Sequence, residues 1–144
     1  MAAIEEQLRE ETRVVGLDEA QFFGEEIVPF VTRSADRGLH VIVAGLDLDF
    51  LNRPFGPMPL LAAHADRLTK LQASCQYPGC GSHQATRTQR LVEGSPAPAD
   101  APLVVIGGSA TYEARCRHHH RMGGNRREEV RVGASEDVAL EAEA

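Results

Sequence analysis

Apolar positions near the start of the chain fall into two rhythms. Ile4 and Leu8 stand four apart in a run otherwise rich in Glu, Gln and Arg, a spacing that predicts a short helix over residues 4–9. The helix leads into a strand over Thr12–Leu17, whose apolar run Val14-Val15-Gly16-Leu17 delivers Asp18 and Glu19 at its end. Residues 25–37 read as an amphipathic helix with Ile27, Val28, Phe30, Val31 and Ala35 on one side. Gly38 is a natural stop, because glycine takes the left-handed cap at no steric cost. Val41-Ile42-Val43-Ala44-Gly45-Leu46 is then a continuous apolar run of strand length, of the kind found in parallel sheets covered on both faces. Helix, strand, helix, strand predicts an α/β layer.

Beyond that layer the pattern is less regular. Asp47, Asp49, Asn52, Pro54, Pro57, Pro59 and Gly56 mark residues 47–59 as an ordered loop. A short helix over Leu60–Asp66 and a third strand near Leu68–Ala73 are expected next. Residues 74–120 hold all three cysteines and four of the six histidines, and read as a small metal-stapled lobe. Within it, Pro96, Pro98 and Pro102 predict a flexible loop over residues 94–102, and Leu103-Val104-Val105-Ile106 predicts a strand. From residue 121 onward an acidic, apolar-poor run predicts a disordered tail.

Composition narrows the function classes. With 144 residues and 42% hydrophobic content, one ordinary domain is expected. The formal charge of -6 is carried by the two ends, -3 over residues 1–11 and -4 over residues 134–144, so the working middle is near neutral. That balance offers no basic face for nucleic acid. No apolar run approaches the roughly 18 residues of a membrane span, and the acidic start is unlike a signal peptide, so the expectation is a cytoplasmic protein with no membrane partner. An odd number of cysteines suits metal ligation in a reducing compartment better than a disulfide framework.

Three constellations carry chemistry. A carboxylate at the end of a parallel strand faces the crevice where ligands bind in open α/β sheets, so Asp18 can hold magnesium through water while Glu19 accepts a proton. Cys75 and Cys80 form one pair, and Cys116 with His119 a second, separated by thirty-five residues. Thiolates and an imidazole on two loops match a closed tetrahedral zinc site, with His118 or His120 able to replace His119. The third group is aromatic. Phe22, Phe23, Phe50, Phe55 and Tyr112 include two residues in a Pro/Gly-rich loop past a strand end, where a flat ligand could be sandwiched.

The stretches DEAQFF, VIVAGLDLDF, RPFGPMP, TKLQASC, ATRTQR, VVIGGSATYEARC and CRHHH, in that order between Val14 and His120, resemble the type II, or cytosolic-type, thymidine kinases. The resemblance implies a partial P-loop-kinase-like parallel sheet over residues 1–73, with a small zinc-ribbon-like lobe over residues 74–120 that includes the substrate-closing loop. It implies transfer of the ATP γ-phosphate to the 5′-hydroxyl of thymidine, with Glu19 as general base and Asp18 as the magnesium-linked acid. Phe22, Leu46, Phe50, Phe55 and Tyr112 would line the thymine pocket, main-chain groups around Val105, Ile106 and Gly107 would read the base edge, and Thr88 and Arg90 would lie on the closing loop. Cys75, Cys80, Cys116 and His119 match the structural zinc ligands, with a wider first gap than the family uses. A homotetramer and feedback by thymidine triphosphate are further implications.

One departure is larger. The family's glycine-rich phosphate loop, GxxxxGK[ST], occurs nowhere in these 144 residues. The chain is therefore expected to start partway through the family fold and to be inactive by itself, because phosphoryl transfer depends on holding the phosphates. A non-catalytic nucleoside-binding protein or a zinc-stapled interaction module is the alternative expectation.

Overall fold

The computed structural model describes residues 2–103 and 110–123. Their first half is a small α/β layer. Helix α1 (Ala2–Glu5) leads through turns into strand β1 (Val14–Leu17), a single 3-10 turn follows at Ala20–Phe22, and helix α2 (Ile27–Asp36) carries the chain back to strand β2 (His40–Val43). The strands pair in parallel, from Val14 opposite His40 to Leu17 opposite Val43. Helix α3 (Met58–His64) completes this half.

Sequence chemistry explains the helix ends. Pro29 sits in the first turn of α2, where its missing amide costs nothing. At the other end Gly38 adopts φ 87° and donates its amide to Ala35 at 2.8 Å, the expected stop. Helix α1 is shorter than its pattern predicts, and residues beyond it close i to i-3 turns such as Leu8 onto Glu5. A helix continued through Glu10 would stack that carboxylate on Glu6 one turn earlier. Helix α3 begins two residues before expectation, with Pro57 at its cap and Pro59 in its first turn.

The core lies on one face of the sheet. Val15 and Leu17 of β1 meet Ile27, Val28, Phe30 and Val31 of α2, with Ala20 and Leu61 closing the cluster. Phe30 is its largest fully buried side chain, and truncating it to Ala would cost about 3–5 kcal/mol. The expectation that both faces are covered is corrected: Val14 and Ile42 point away from the core and remain more than half exposed among the described residues. The continuous apolar run of β2 did not report which face was buried.

The second half is antiparallel. Strand β3 (Arg87–Val92) pairs with β4 (Ser95–Pro96) on one side and β5 (Ala110–Arg115) on the other, with Arg87 opposite Arg115 and Arg90 opposite Tyr112. Glu93 and Gly94 both take positive φ in the two-residue connection from β3 to β4, the conformation that matches strand twist in a tight hairpin. The start of the expected flexible loop is thus ordered as a strand. The expected strand over Leu68–Ala73 is absent: Leu68 and Leu71 are exposed, and only Ala73 makes a single bridge, to Ala85. Of the expected strand at 103–106, Leu103 is not in a strand and the rest lies outside the described residues, as does the tail from residue 124.

Candidate functional site

The end of β1 is built to turn a carboxylate out of the sheet. Leu17 completes the ladder by accepting the amide of Ala44, and Ala20 returns an amide to the Ala44 carbonyl. Glu19 lies between these anchors in a left-handed conformation, φ 51° and ψ 39°, which costs a non-glycine residue about 1–2 kcal/mol. Strain of this kind collects at functional positions. The Glu19 amide is held at 2.8 Å by Oδ1 of Asp18.

Gln21 holds the carboxylate from the other side. Buried to 3% exposure, it donates from Nε2 to Glu19 Oε2 and accepts the Leu46 amide on Oε1 at 2.9 Å. One side chain therefore fixes both the acid at the end of β1 and the turn after β2. The approach is close enough to exclude side chains from two neighbours. A Cβ on Gly45 would meet Gln21 Oε1 at 2.7 Å, and one on Gly56 would meet the Gln21 carbonyl at 2.2 Å. Sequence reasoning missed Gln21, because an amide inside an acidic-aromatic motif carries no signal of its own.

The aromatic loop is closed by a carboxylate. Oδ1 of buried Asp49 accepts the amides of Leu51 and Arg53 at 2.8 and 2.9 Å, and Asn52 takes φ 61° in the resulting turn. The loop presents Phe55 edge-on to Phe22 with ring centroids 5.5 Å apart. Phe50 is buried beneath the guanidinium of Arg90, 5.3 Å from its ring centroid, and the same guanidinium lies 6.0 Å from Tyr112. Arg90 also donates to the Pro102 carbonyl. Thr88 and Arg90 stand on β3 and not in a loop; Thr88 is half-buried and Arg90 only 4% exposed. Phe22, Leu46 and Tyr112 keep substantial exposed surface. Val105, Ile106 and Gly107 lie outside the described residues.

At the far end of β5 the Cys and His pairs converge. The ligand atoms of Cys75, Cys80, Cys116 and His119 all lie within 4.8 Å of one another. Cys116 Sγ is 3.3 Å from His119 Nδ1, Cys75 Sγ is 3.8 Å from the same nitrogen, and Cys80 Sγ is 4.0 Å from Cys116 Sγ. Bonds of 2.0–2.3 Å to a tetrahedral zinc would place such atoms roughly 3.5–3.8 Å apart, so the donor set fits a closed site. Burial pushes the Cys75 thiol up, but the amides of Cys116 and Tyr77, with His119 and Cys80, outweigh it and bring the pKa down to about 6. The Ser82 amide favours a Cys80 thiolate too, yet burial and the neighbouring sulfurs leave that thiol raised. The cluster can hold a metal ion such as zinc.

The histidine run sorts itself by geometry. His119 faces the sulfurs, His118 is exposed, and His120 turns away to hydrogen-bond the aromatic loop through Phe50 and Asn52. Burial holds the His120 pKa below its ordinary value, against the Phe50 and Thr88 main-chain groups, which favour the charged ring.

The thymidine kinase family profile matches residues 1–120. The chain belongs to the thymidine kinase family. That match spans β1 with its acids, the aromatic loop and the whole metal cluster. Membership supports a thymidine kinase-like function, with thymidine and ATP as the substrates that the family implies. No helix among the described residues is long and apolar enough to cross a membrane.

Proposed function

We infer that these residues form the thymidine-binding and proton-accepting part of a kinase that moves the ATP γ-phosphate to the sugar 5′-hydroxyl, supplying deoxynucleotides by salvage for DNA synthesis. The observation that carries this reading is Gln21, which ties the strained Glu19 carboxylate to Leu46 beside the Phe22–Phe55 pair. A base lying against the aromatic side chains of Phe22, Phe55, Phe50 and Tyr112 would direct its sugar toward the end of β1. Glu19 then takes the proton of the 5′-hydroxyl as its oxygen forms the new bond to phosphorus and the bond to the departing diphosphate breaks. Asp18, exposed beside Glu19, would hold magnesium through water, and magnesium would neutralise charge on the phosphates when bound.

Arg90 on β3 supports the aromatic wall through Phe50 and Tyr112, Thr88 on the same strand would contribute to closing the site over the substrate, and the main chain near Val105, Ile106 and Gly107 would read the base edge. Residues 1–73 act as the kinase core and 74–120 as the zinc lobe. Assembly as a homotetramer, feedback by thymidine triphosphate and a cytoplasmic location belong to the same reading. Because no GxxxxGK[ST] motif occurs within these 144 residues, thymidine binding without appreciable transfer is expected from them alone.

Calorimetric titration with thymidine, run beside an ATP-dependent phosphorylation assay, tests this. Saturable thymidine binding with little product supports it. Rapid turnover would show that another element cradles the phosphates. Absence of thymidine binding would favour a zinc-stapled interaction module.

A further inference from the structure

The four residues between Cys75 and Cys80 do more than close a loop. Tyr77-Pro78-Gly79-Cys80 is a tight turn with Pro at its second position, Gly79 at φ 78° at its third, and a 3.0 Å hydrogen bond from the Cys80 amide to the Tyr77 carbonyl. Both its central residues are preset for that conformation, so the turn presents Tyr77 in one place. Just before it, Gln76 docks on β5 twice: its amide donates to Ala114 at 2.9 Å and its side-chain oxygen accepts the Ala114 amide.

Thus held, the Tyr77 ring stacks on His119 with centroids 4.1 Å apart and planes 1° from parallel. The guanidinium of Arg115 lies 4.9 Å from the Tyr77 ring centroid, and Arg115 is itself buried and paired with Glu113. Glu113, Arg115, Tyr77 and His119 thus form a chain of contacts from β5 to the ligand imidazole. Among the described residues Nε and Nη1 of Arg115 are buried without a hydrogen-bond partner, and the contacts that orient the cation there are those to Glu113 and the ring.

We propose that Tyr77 is a positioning residue for the metal centre: the Tyr77–Cys80 turn and the histidine ligand form a matched pair, in which the phenol ring fixes the imidazole plane so that Nδ1 points at the ion. A thiolate ligand has no plane to fix, so the requirement belongs to His119 alone. The proposal rests on the metal reading of the Cys75, Cys80, Cys116 and His119 cluster. Fixing ligand orientation from outside the coordination shell is worth about 10- to 100-fold in metal affinity.

The test is a double-mutant cycle on zinc release to a chromogenic chelator. Zinc content of the unsubstituted protein is measured first, and failure to bind one equivalent would overturn the metal reading itself and this proposal with it. Tyr77→Leu should release zinc about 10- to 100-fold faster, whereas Tyr77→Phe, which keeps the stacked ring, should match the parent. In a His119→Cys background the Tyr77→Leu effect should disappear. In the cobalt-substituted protein, Tyr77→Leu should broaden the ligand-field bands and Tyr77→Phe should preserve them. Equal release rates for Tyr77→Leu and the parent, or an equal effect with cysteine at 119, would overturn the proposal. If Tyr77→Leu folds only in the His119→Cys background, the pairing is supported; if it folds in neither, the turn serves the lobe regardless of the imidazole and the proposal fails.

Discussion

His120 donates from Nε2 to the Phe50 carbonyl at 3.0 Å, across seventy residues of chain. Its Nδ1 faces Nδ2 of Asn52 at 3.2 Å, so both ring nitrogens are engaged by the aromatic loop. Because His119 faces the Cys cluster, the metal centre and the aromatic loop are joined through adjacent residues. His120→Ala should lower stability by about 1–3 kcal/mol, through the buried groups left unmatched, and weaken thymidine binding while leaving zinc content intact. Thermal denaturation and metal analysis on the same sample check both halves. Loss of zinc along with binding would mean that His120 belongs to the metal site.

Gln21 makes a similar link inside the α/β layer. Replacing it with Leu keeps the volume near Gly45 and Gly56 but leaves the Leu46 amide without its acceptor and Glu19 without its donor. The expected cost is about 1–3 kcal/mol in chemical denaturation. Because the turn after β2 would be released, thymidine affinity should fall more in Gln21→Leu than in Gln21→Glu, which can still accept the Leu46 amide. Equal loss in the two variants would separate the turn from the nucleoside site.

Sequence patterning reached the first half of the fold because α2 and the strands beside it bury apolar residues at regular spacing. Gly38 ended α2 where its φ requires. The pattern failed where contact replaces burial. Arg87-Thr88-Gln89-Arg90 is too polar to suggest a strand, yet the ladder to β5 and the packing of Arg90 on Phe50 make it one. Conversely Leu68 and Leu71 are apolar but exposed, and no strand forms there among the described residues. The Cys and His ligand set was legible, because thiolate spacing is itself the signal. Tyr77, Gln21 and His120 were not, since their roles depend on which neighbour they reach.

Backbone strain at Glu19 gives a comparison that side-chain loss cannot confuse. Glu19→Ala and Glu19→Gly both remove the carboxylate and its bond to Gln21. At φ 51° alanine pays the left-handed cost of about 1–2 kcal/mol, which glycine avoids, offset in part by glycine's larger entropy loss of about 0.5–1 kcal/mol. Glu19→Gly should therefore be the more stable variant by about 0.5–1 kcal/mol in urea denaturation, the reverse of the order in a helix or strand. An alanine variant at least as stable would mean that the left-handed conformation relaxes once the acid is gone.

Removing the metal should divide the molecule. Among the described residues the cluster around the ligands has Cys75, Ala85 and Cys116 at its buried centre, and two of these are ligands, so this end of the lobe has little apolar packing to keep it folded once they are released. The α/β layer has its own, centred on Phe30 and Ile27. Chelation should therefore abolish hydrogen-exchange protection at the amides of Cys75, Gln76, Ala85 and His119 while those of α2 and β2 stay protected. Acid should act in the same direction as a chelator, because protons compete with the ion for thiolate and imidazole, so zinc retention falls as pH falls. The aromatic loop decides how far the change travels. Tethered through His120 and Phe50, it should lose part of its protection with the lobe, and His120→Ala should lose that part before any chelator is added. Full protection of the loop after chelation would show that Asp49 holds it without help from the metal end.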